Sequence, residues 1–217
     1  MSEHATPQAA QARAARSALV QRGLRLNYAT IGYNALEAVA SITAGLLAGS
    51  VALVGFGFDS AVEVTAAAAA QWRLRADLDV HRRERVEHIT TRVISWCFLA
   101  LAAYVVYDSG KTLWLRERPE RSVPGIVILA LSVIVMPLLA RAKRTVARGL
   151  ASRALEADAM QTSLCAYLSV IALAGVLLNA ALGWWWADPV AALAMVPIIV
   201  KEGIEGVRGE PGCDDCC

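Results

Sequence analysis

Six stretches of the chain, each about twenty residues long, consist almost entirely of apolar residues. A helix of this length and composition covers the hydrocarbon core of a bilayer. Hydrophobic residues make up 57% of the 217 residues and charged residues only 18%, a balance that a soluble domain of this size cannot bury. We therefore predict an all-α integral membrane protein, a bundle of six transmembrane helices. The predicted spans are 26–48, 51–72, 92–110, 123–140, 155–182 and 185–204.

The basic residues predict how this bundle is oriented. Of the 21 Arg and Lys residues, 17 lie before the first span, between spans two and three, between spans four and five, or at the end of span six and beyond it. Because basic residues are retained on the cytoplasmic side, both termini should be cytoplasmic. The expected organisation is a cytoplasmic segment 1–25, a six-helix domain 26–206 and a Cys-rich cytoplasmic tail 207–217. No signal peptide is evident at the N-terminus, and we expect a location in the plasma or inner membrane.

Two acidic residues, Asp59 and Glu63, interrupt the second apolar stretch. At a spacing of four residues they lie on the same face of a helix. Carboxylates inside a membrane helix are costly and by default mark an ion path. A salt bridge to Arg or Lys would be the structural alternative, but no predicted span carries a central basic residue.

The fifth span supplies further polar groups. Asp158, Gln161, Thr162 and Cys165 follow at spacings that place them on one helical stripe. The two carboxylates of span two, an amide oxygen and a thiolate could together form a four-ligand site for Zn²⁺ or Cd²⁺, while Fe²⁺, Co²⁺, Mn²⁺ and Ni²⁺ stay open. The alternatives are that Cys165 is an ordinary buried thiol and that Gln161 forms a hydrogen bond between helices.

Three motifs resemble those of the cation diffusion facilitators. Residues 49–63, GSVALVGFGFDSAVE, are similar to the family's second span, in which a GS turn precedes an acidic pair. Residues 157–165, ADAMQTSLC, resemble its AD-x-x-H-x-x-x-D motif, and residues 187–193, ADPVAAL, resemble the start of its sixth span. The resemblance covers about residues 20 to 208.

The resemblance implies a transporter, without enzymatic activity or a cofactor, that exports a divalent metal from the cytosol in exchange for protons. Zn²⁺ is the first candidate for the transported substrate. It also implies a homodimer in contact with membrane lipid, and the net charge of +2 gives no reason to expect a nucleic-acid partner. By position it implies that Asp59, Glu63, Gln161 and Cys165 are metal ligands, and that Asp158 lies near the cytosolic end of its helix.

The sequence departs from the family pattern in four ways. Glu63 and Cys165 stand where the family has Asp, and Gln161 stands where it has His. Because Gln does not titrate, the exchanged protons would fall to Asp59, Glu63 or Cys165. The family's soluble C-terminal domain has no counterpart after span six, so we expect a divergent subgroup.

Other features allow two readings each. The segment His81–His88 is either a second metal site or a solvated helix end, and the tail Cys213–Cys217 is either a thiolate metal site or a disordered tail. Asp188 is expected to cap the start of span six, and the basic run 141–153 should be a solvated helical extension.

Two other functions stay open: a membrane protein that binds metal without transporting it, and an intramembrane aspartyl protease using Asp59 and Asp158, although residues 55–59 read GxGxD and not GxGD.

Overall fold

The computed structural model describes residues 7–75, 80–150 and 153–208, with the side chains of residues 72–91 and a few others outside the described set. Over these ranges the chain forms six helices and no strand. The helices are α1 (Pro7–Ala48), α2 (Val51–Arg75), α3 (Val80–Leu115), α4 (Val123–Leu150), α5 (Arg153–Leu182) and α6 (Ala187–Arg208). The predicted all-α membrane fold is confirmed.

Several helices are longer than the spans predicted for them. Helix α1 already begins at Pro7, α3 at Val80, and α4 continues to Leu150. The additional turns carry most of the basic residues that lie between the apolar stretches. A helix rises only about 1.5 Å per residue, so helices of this length extend beyond the hydrocarbon core into the polar region of the bilayer.

Length and composition single out four segments that could cross a membrane. In the part of the chain that the structure describes, these are Ala14–Ala48, Val51–Ala68, Val123–Leu150 and Asp158–Leu182. They lie in α1, α2, α4 and α5. Membrane crossing by α3 and α6, and the cytoplasmic location of both termini, stay predictions.

The bundle exposes many large apolar side chains and buries many polar ones, unlike a soluble protein. Large apolar side chains such as Leu36, Leu47, Trp114 and Ile134 are exposed on the outside of the bundle. Many Ser, Thr, Asn, Asp and Glu side chains are buried inside it. An apolar exterior is stable against lipid but not against water, so the bundle's surface fits a bilayer.

Helix α2 lies at the centre of the bundle, packed against α1, α3, α5 and α6. It is joined to α1 by a turn at Gly49, whose φ of +64° is in the left-handed region that favours glycine. Gly57 lets the two helices approach closely, since a Cβ there would lie 2.9 Å from the backbone nitrogen of Ile42. The acidic residues of α2 are therefore held in the interior.

Candidate metal site

The start of α2 is fixed by a carboxylate from another helix. Asp188, in the first turn of α6, accepts hydrogen bonds from the Ser50 hydroxyl and from the Ala52 backbone N–H at 3.3 Å. The Ser50 hydroxyl oxygen also accepts a bond from the Leu53 N–H at 3.2 Å, as an N-cap does. The expectation that Asp188 caps α6 is therefore wrong: its hydrogen bonds stabilise the N-terminus of α2.

Asp59 and Glu63 are both enclosed in the bundle, with exposed fractions of 2% and 0%. Glu63 Oε1 accepts a hydrogen bond from the Thr162 hydroxyl at 2.7 Å. The thiol of Cys165, which is also buried, interacts with the carboxylates of both Asp59 and Glu63. The second and fifth spans thus bring two carboxylates, a hydroxyl and a thiol to one place.

The two other sequence candidates have different surroundings. Gln161 is partly exposed and makes no hydrogen bond to Asp59 or Glu63. Asp158 is buried, and its Oδ2 atom lies 2.9 Å from Nζ of Lys143. Asp158 is therefore held at the edge of the cluster by an ion pair with α4.

Lys143 connects this ion pair to the carboxylates of α2. Its ammonium group donates a hydrogen bond to the Thr162 hydroxyl at 2.9 Å. The same hydroxyl donates to Glu63, so a continuous chain of polar contacts runs from Asp158 through Lys143 and Thr162 to Glu63. Lys143 is only 5% exposed, so the whole chain of contacts lies in the protein interior.

Lys143 was not among the predicted site residues. It was expected in a solvated basic run, and that expectation is wrong for this residue, which lies beyond predicted span four but is buried in α4. A signal is present in the sequence, because Lys143 continues a spacing of three and four along the buried side of α4. The buried residues of α4 are Gly125, Leu129, Ser132, Met136, Ala140, Lys143, Val146 and Ala147.

The cluster does not form a closed metal cage in this conformation. Across the described ranges, no group of three or more His, Cys, Asp or Glu side chains is arranged so that it could hold a metal ion. Glu63 Oε2 is buried and has no hydrogen-bond partner. The arrangement therefore consists of neighbouring pairs, with one carboxylate oxygen of Glu63 left available.

A comparison with protein families establishes the relationship. The model of the cation efflux transmembrane domain matches residues 28–208, which is most of the chain. The chain belongs to the cation efflux family. This confirms the resemblance to the cation diffusion facilitators, which are membrane transporters and not enzymes. A comparison with curated proteins finds no match.

Membership in the cation efflux family leaves the protease hypothesis without support, and the geometry agrees. An aspartyl protease needs two Asp carboxylates that share a proton. Here Asp158 is paired with Lys143, and Asp59 interacts with Cys165 and Glu63. Gly57 of the GxGxD sequence is accounted for by the close packing of α1 on α2.

The two other candidate metal segments of this cation efflux protein lie outside the side chains that the structure describes. The backbone of His81–His88 belongs to α3, but its side chains lie outside the described residues. The tail Cys213–Cys217 lies outside them entirely.

Proposed function

We propose that this protein exports a divalent metal ion from the cytosol, with Zn²⁺ as the first candidate, and that Asp59, Glu63 and Cys165 bind the ion. The observation that carries the proposal is the meeting of two buried carboxylates with a buried thiol between α2 and α5. A soft thiolate beside carboxylates is a donor set that suits Zn²⁺ and Cd²⁺.

The balance of charge supports a divalent substrate. Asp59, Glu63 and Asp158 would together carry three negative charges, and Lys143 supplies one positive charge through its pair with Asp158. Two negative charges then stay uncompensated in an interior where unpaired charge is costly. One divalent cation, or two protons in its place, neutralises these two carboxylates, and binding of the ion by the Cys165 thiolate would release one further proton from the thiol, so metal binding is coupled to proton release.

Ion binding would draw these groups into a closed shell. The free Glu63 Oε2 is the first oxygen available to an entering ion. Gln161, on the same stripe of α5 and partly exposed, could complete the set after rotation of its side chain. In this scheme Asp158 stays with Lys143 and fixes α5 against α4. A homodimer in the plasma membrane is part of the same proposal.

Transport into proteoliposomes tests the proposal directly. Wild-type protein should accumulate Zn²⁺ inside vesicles, driven by an opposing proton gradient, and Asp59→Asn and Glu63→Gln should each abolish the accumulation. Asp108→Asn is the matched control, because Asp108 is an acid of α3 whose partner is Tyr104, outside the cluster. It should transport like the wild type.

Two results would contradict the proposal. Accumulation that survives both Asp59→Asn and Glu63→Gln would place the transport path elsewhere. Saturable Zn²⁺ binding by a folded wild-type protein that moves no metal would instead identify a membrane protein that binds metal without transporting it.

A further inference from the structure

A further buried carboxylate meets α2 from α1 and not from α5. Glu37 of α1 is 4% exposed, and its Oε2 atom accepts a hydrogen bond from the Ser60 hydroxyl at 2.8 Å. Ser60 follows Asp59 in the chain, but it bonds to a residue of α1, whereas Asp59 interacts with Cys165 of α5. Glu37 and Ser60 thus form a second polar group next to the Asp59–Glu63–Cys165 cluster, close enough for the charges of the two groups to interact.

Three hydroxyl groups from three helices surround Glu37. Besides Ser60 of α2, its carboxylate interacts with Tyr33 of α1 and Ser132 of α4. Asn34, also buried, lies on the same face of α1 nearly one turn before Glu37. The five residues offer one carboxylate, three hydroxyl oxygens and one amide oxygen, and neither a thiol nor an imidazole.

Several of these atoms lack a hydrogen-bond partner. Glu37 Oε1, Ser132 Oγ and both amide atoms of Asn34 are buried without one. Ser132 lies close to Glu37 and Tyr33 without meeting the geometry of a hydrogen bond. In a membrane interior an unsatisfied polar group is strongly unfavourable, so this concentration of oxygen atoms without partners indicates a bound species.

The charge of the cluster limits what that species is. Among the described residues no Lys or Arg forms a salt bridge with Glu37, and its acidic neighbours Asp59 and Glu63 add to the negative potential. One carboxylate is neutralised by one positive charge. Soft metals prefer nitrogen or sulfur ligands, and this group offers neither an imidazole nor a thiol, so one carboxylate among hydroxyl oxygens suits a hard monovalent cation.

We infer that Glu37, Ser60, Ser132, Tyr33 and Asn34 form a binding site for a monovalent alkali cation. Na⁺ and K⁺ share the required chemistry, since both bind through oxygen atoms. The site differs from the proposed divalent site in its ligands, which come from α1, α4 and Ser60 of α2 and include no thiol. Its occupation does not depend on whether the protein transports Zn²⁺.

Radioactive ion binding to the purified full-length protein tests the inference. We expect saturable binding of one ²²Na⁺ or one ⁸⁶Rb⁺ (as the K⁺ analogue) per chain, and the two arms identify the ion. Glu37→Gln should weaken binding at least tenfold and Ser132→Ala several-fold. Asp108→Asn removes an acid of α3 outside both polar groups and should bind the ion like the wild type.

Three outcomes would overturn the inference. The first is no saturable binding of either ion, which would leave a proton or a water molecule to satisfy Glu37. The second is binding unchanged by both Glu37→Gln and Ser132→Ala. The third is binding that Asp59→Asn weakens more than Glu37→Gln does, which would place the ion in the α2–α5 cluster. If Glu37→Gln does not fold, the smaller Ser132→Ala change decides between loss and retention.

Discussion

Two buried acidic positions on neighbouring helices are stabilised in different ways. Asp158 has a cation built into the protein, the ammonium of Lys143 at 2.9 Å. Asp59 and Glu63 have hydroxyl and thiol neighbours, and within the described structure no basic residue lies at salt-bridge distance from them. The difference separates a structural charge pair from a pair of carboxylates that, in the proposed function, receive their counter-charge from a mobile ion.

The largest effect should come from removing the built-in cation. Lys143→Met leaves Asp158 buried without its partner and takes a donor from Thr162. Breaking a buried ion pair on one side costs about 3–5 kcal/mol of folding free energy. Thermal or denaturant unfolding of the variant in detergent should show a loss of this size.

The double variant Lys143→Met/Asp158→Asn is the decisive partner experiment. With both charges removed, most of the lost stability should return, because no uncompensated charge remains in the interior. If Asp158 serves only as the partner of Lys143, transport should return as well. A stable double variant that stays inactive would make Asp158 a metal ligand and would break the distinction between the two acidic positions.

Asp188 provides a third case, a buried carboxylate held by neutral donors. Asp188→Ala removes the acceptor for the Ser50 hydroxyl and the Ala52 N–H. Hydrogen bonds to a charged group contribute about 1.5–3 kcal/mol, so unfolding in detergent should reveal a loss in that range. The loss should exceed that of Ser50→Ala, an N-cap change worth about 1 kcal/mol.

Asp188→Asn keeps an acceptor oxygen and is the control for Asp188→Ala. It should be closer to the wild type in stability. Equal destabilisation by Asn and Ala would mean that the negative charge itself stabilises the start of α2, beyond the hydrogen bonds, and Asp188 would then resemble Asp158 more than a neutral cap.

The Asp59–Glu63 pair, Asp158 and Asp188 also differ in how much of their surroundings could be predicted from the sequence. The apolar lengths predicted the helices, and the spacing placed Asp59 with Glu63 on one face of α2 and Cys165 on a polar stripe of α5, because helical periodicity is local and regular. That the two helices share a site was implied by the resemblance to the family. The partners of Asp158 and Asp188 come from α4 and α2, at long sequence separation, so no local pattern around either acid reveals them. Lys143 was misassigned because its basic neighbours suggested a solvated helix.

The surroundings of Glu37 likewise depend on partners that are distant in the sequence. Its position on the face of α1 that also carries Asn34 could be read from spacing, but Ser132 lies on α4. Which of the many Ser residues in apolar spans meet a carboxylate depends on the packing of α1, α2 and α4. The close approach of α1 to α2 at Gly57 is part of that packing, and it was not evident before the structure.

Thr162 connects the Lys143–Asp158 ion pair to Glu63, and this contact can be removed without removing any charge. Thr162→Val removes the hydroxyl that accepts from Lys143 and donates to Glu63. Buried groups left unsatisfied cost about 1–3 kcal/mol, so the variant should be less stable by that amount in detergent unfolding. Its Zn²⁺ affinity should also change, because Glu63 loses the contact that orients it.

Thr162→Ser tests whether the hydroxyl is the cause. Ser keeps the donor and acceptor, so its stability and affinity should lie near those of the wild type. If Thr162→Ser loses as much as Thr162→Val, packing of the Thr methyl group would explain the effect, and the two acidic positions would be energetically independent.

The smallest effect on folding stability should come from Cys165→Ser, which tests only the proposed metal binding by Asp59, Glu63 and Cys165. Ser is close in size to Cys and can still approach Asp59 and Glu63, so unfolding should change little. Loss of a soft ligand should weaken Zn²⁺ and Cd²⁺ binding by about tenfold, ~1.4 kcal/mol, and leave Mn²⁺ binding nearly unchanged. Calorimetric titration with the three metals measures these affinities.

An equal loss of affinity for all three metals would mean that Cys165 supports the carboxylates without binding the ion, because Mn²⁺, which prefers oxygen, gains little from a thiolate.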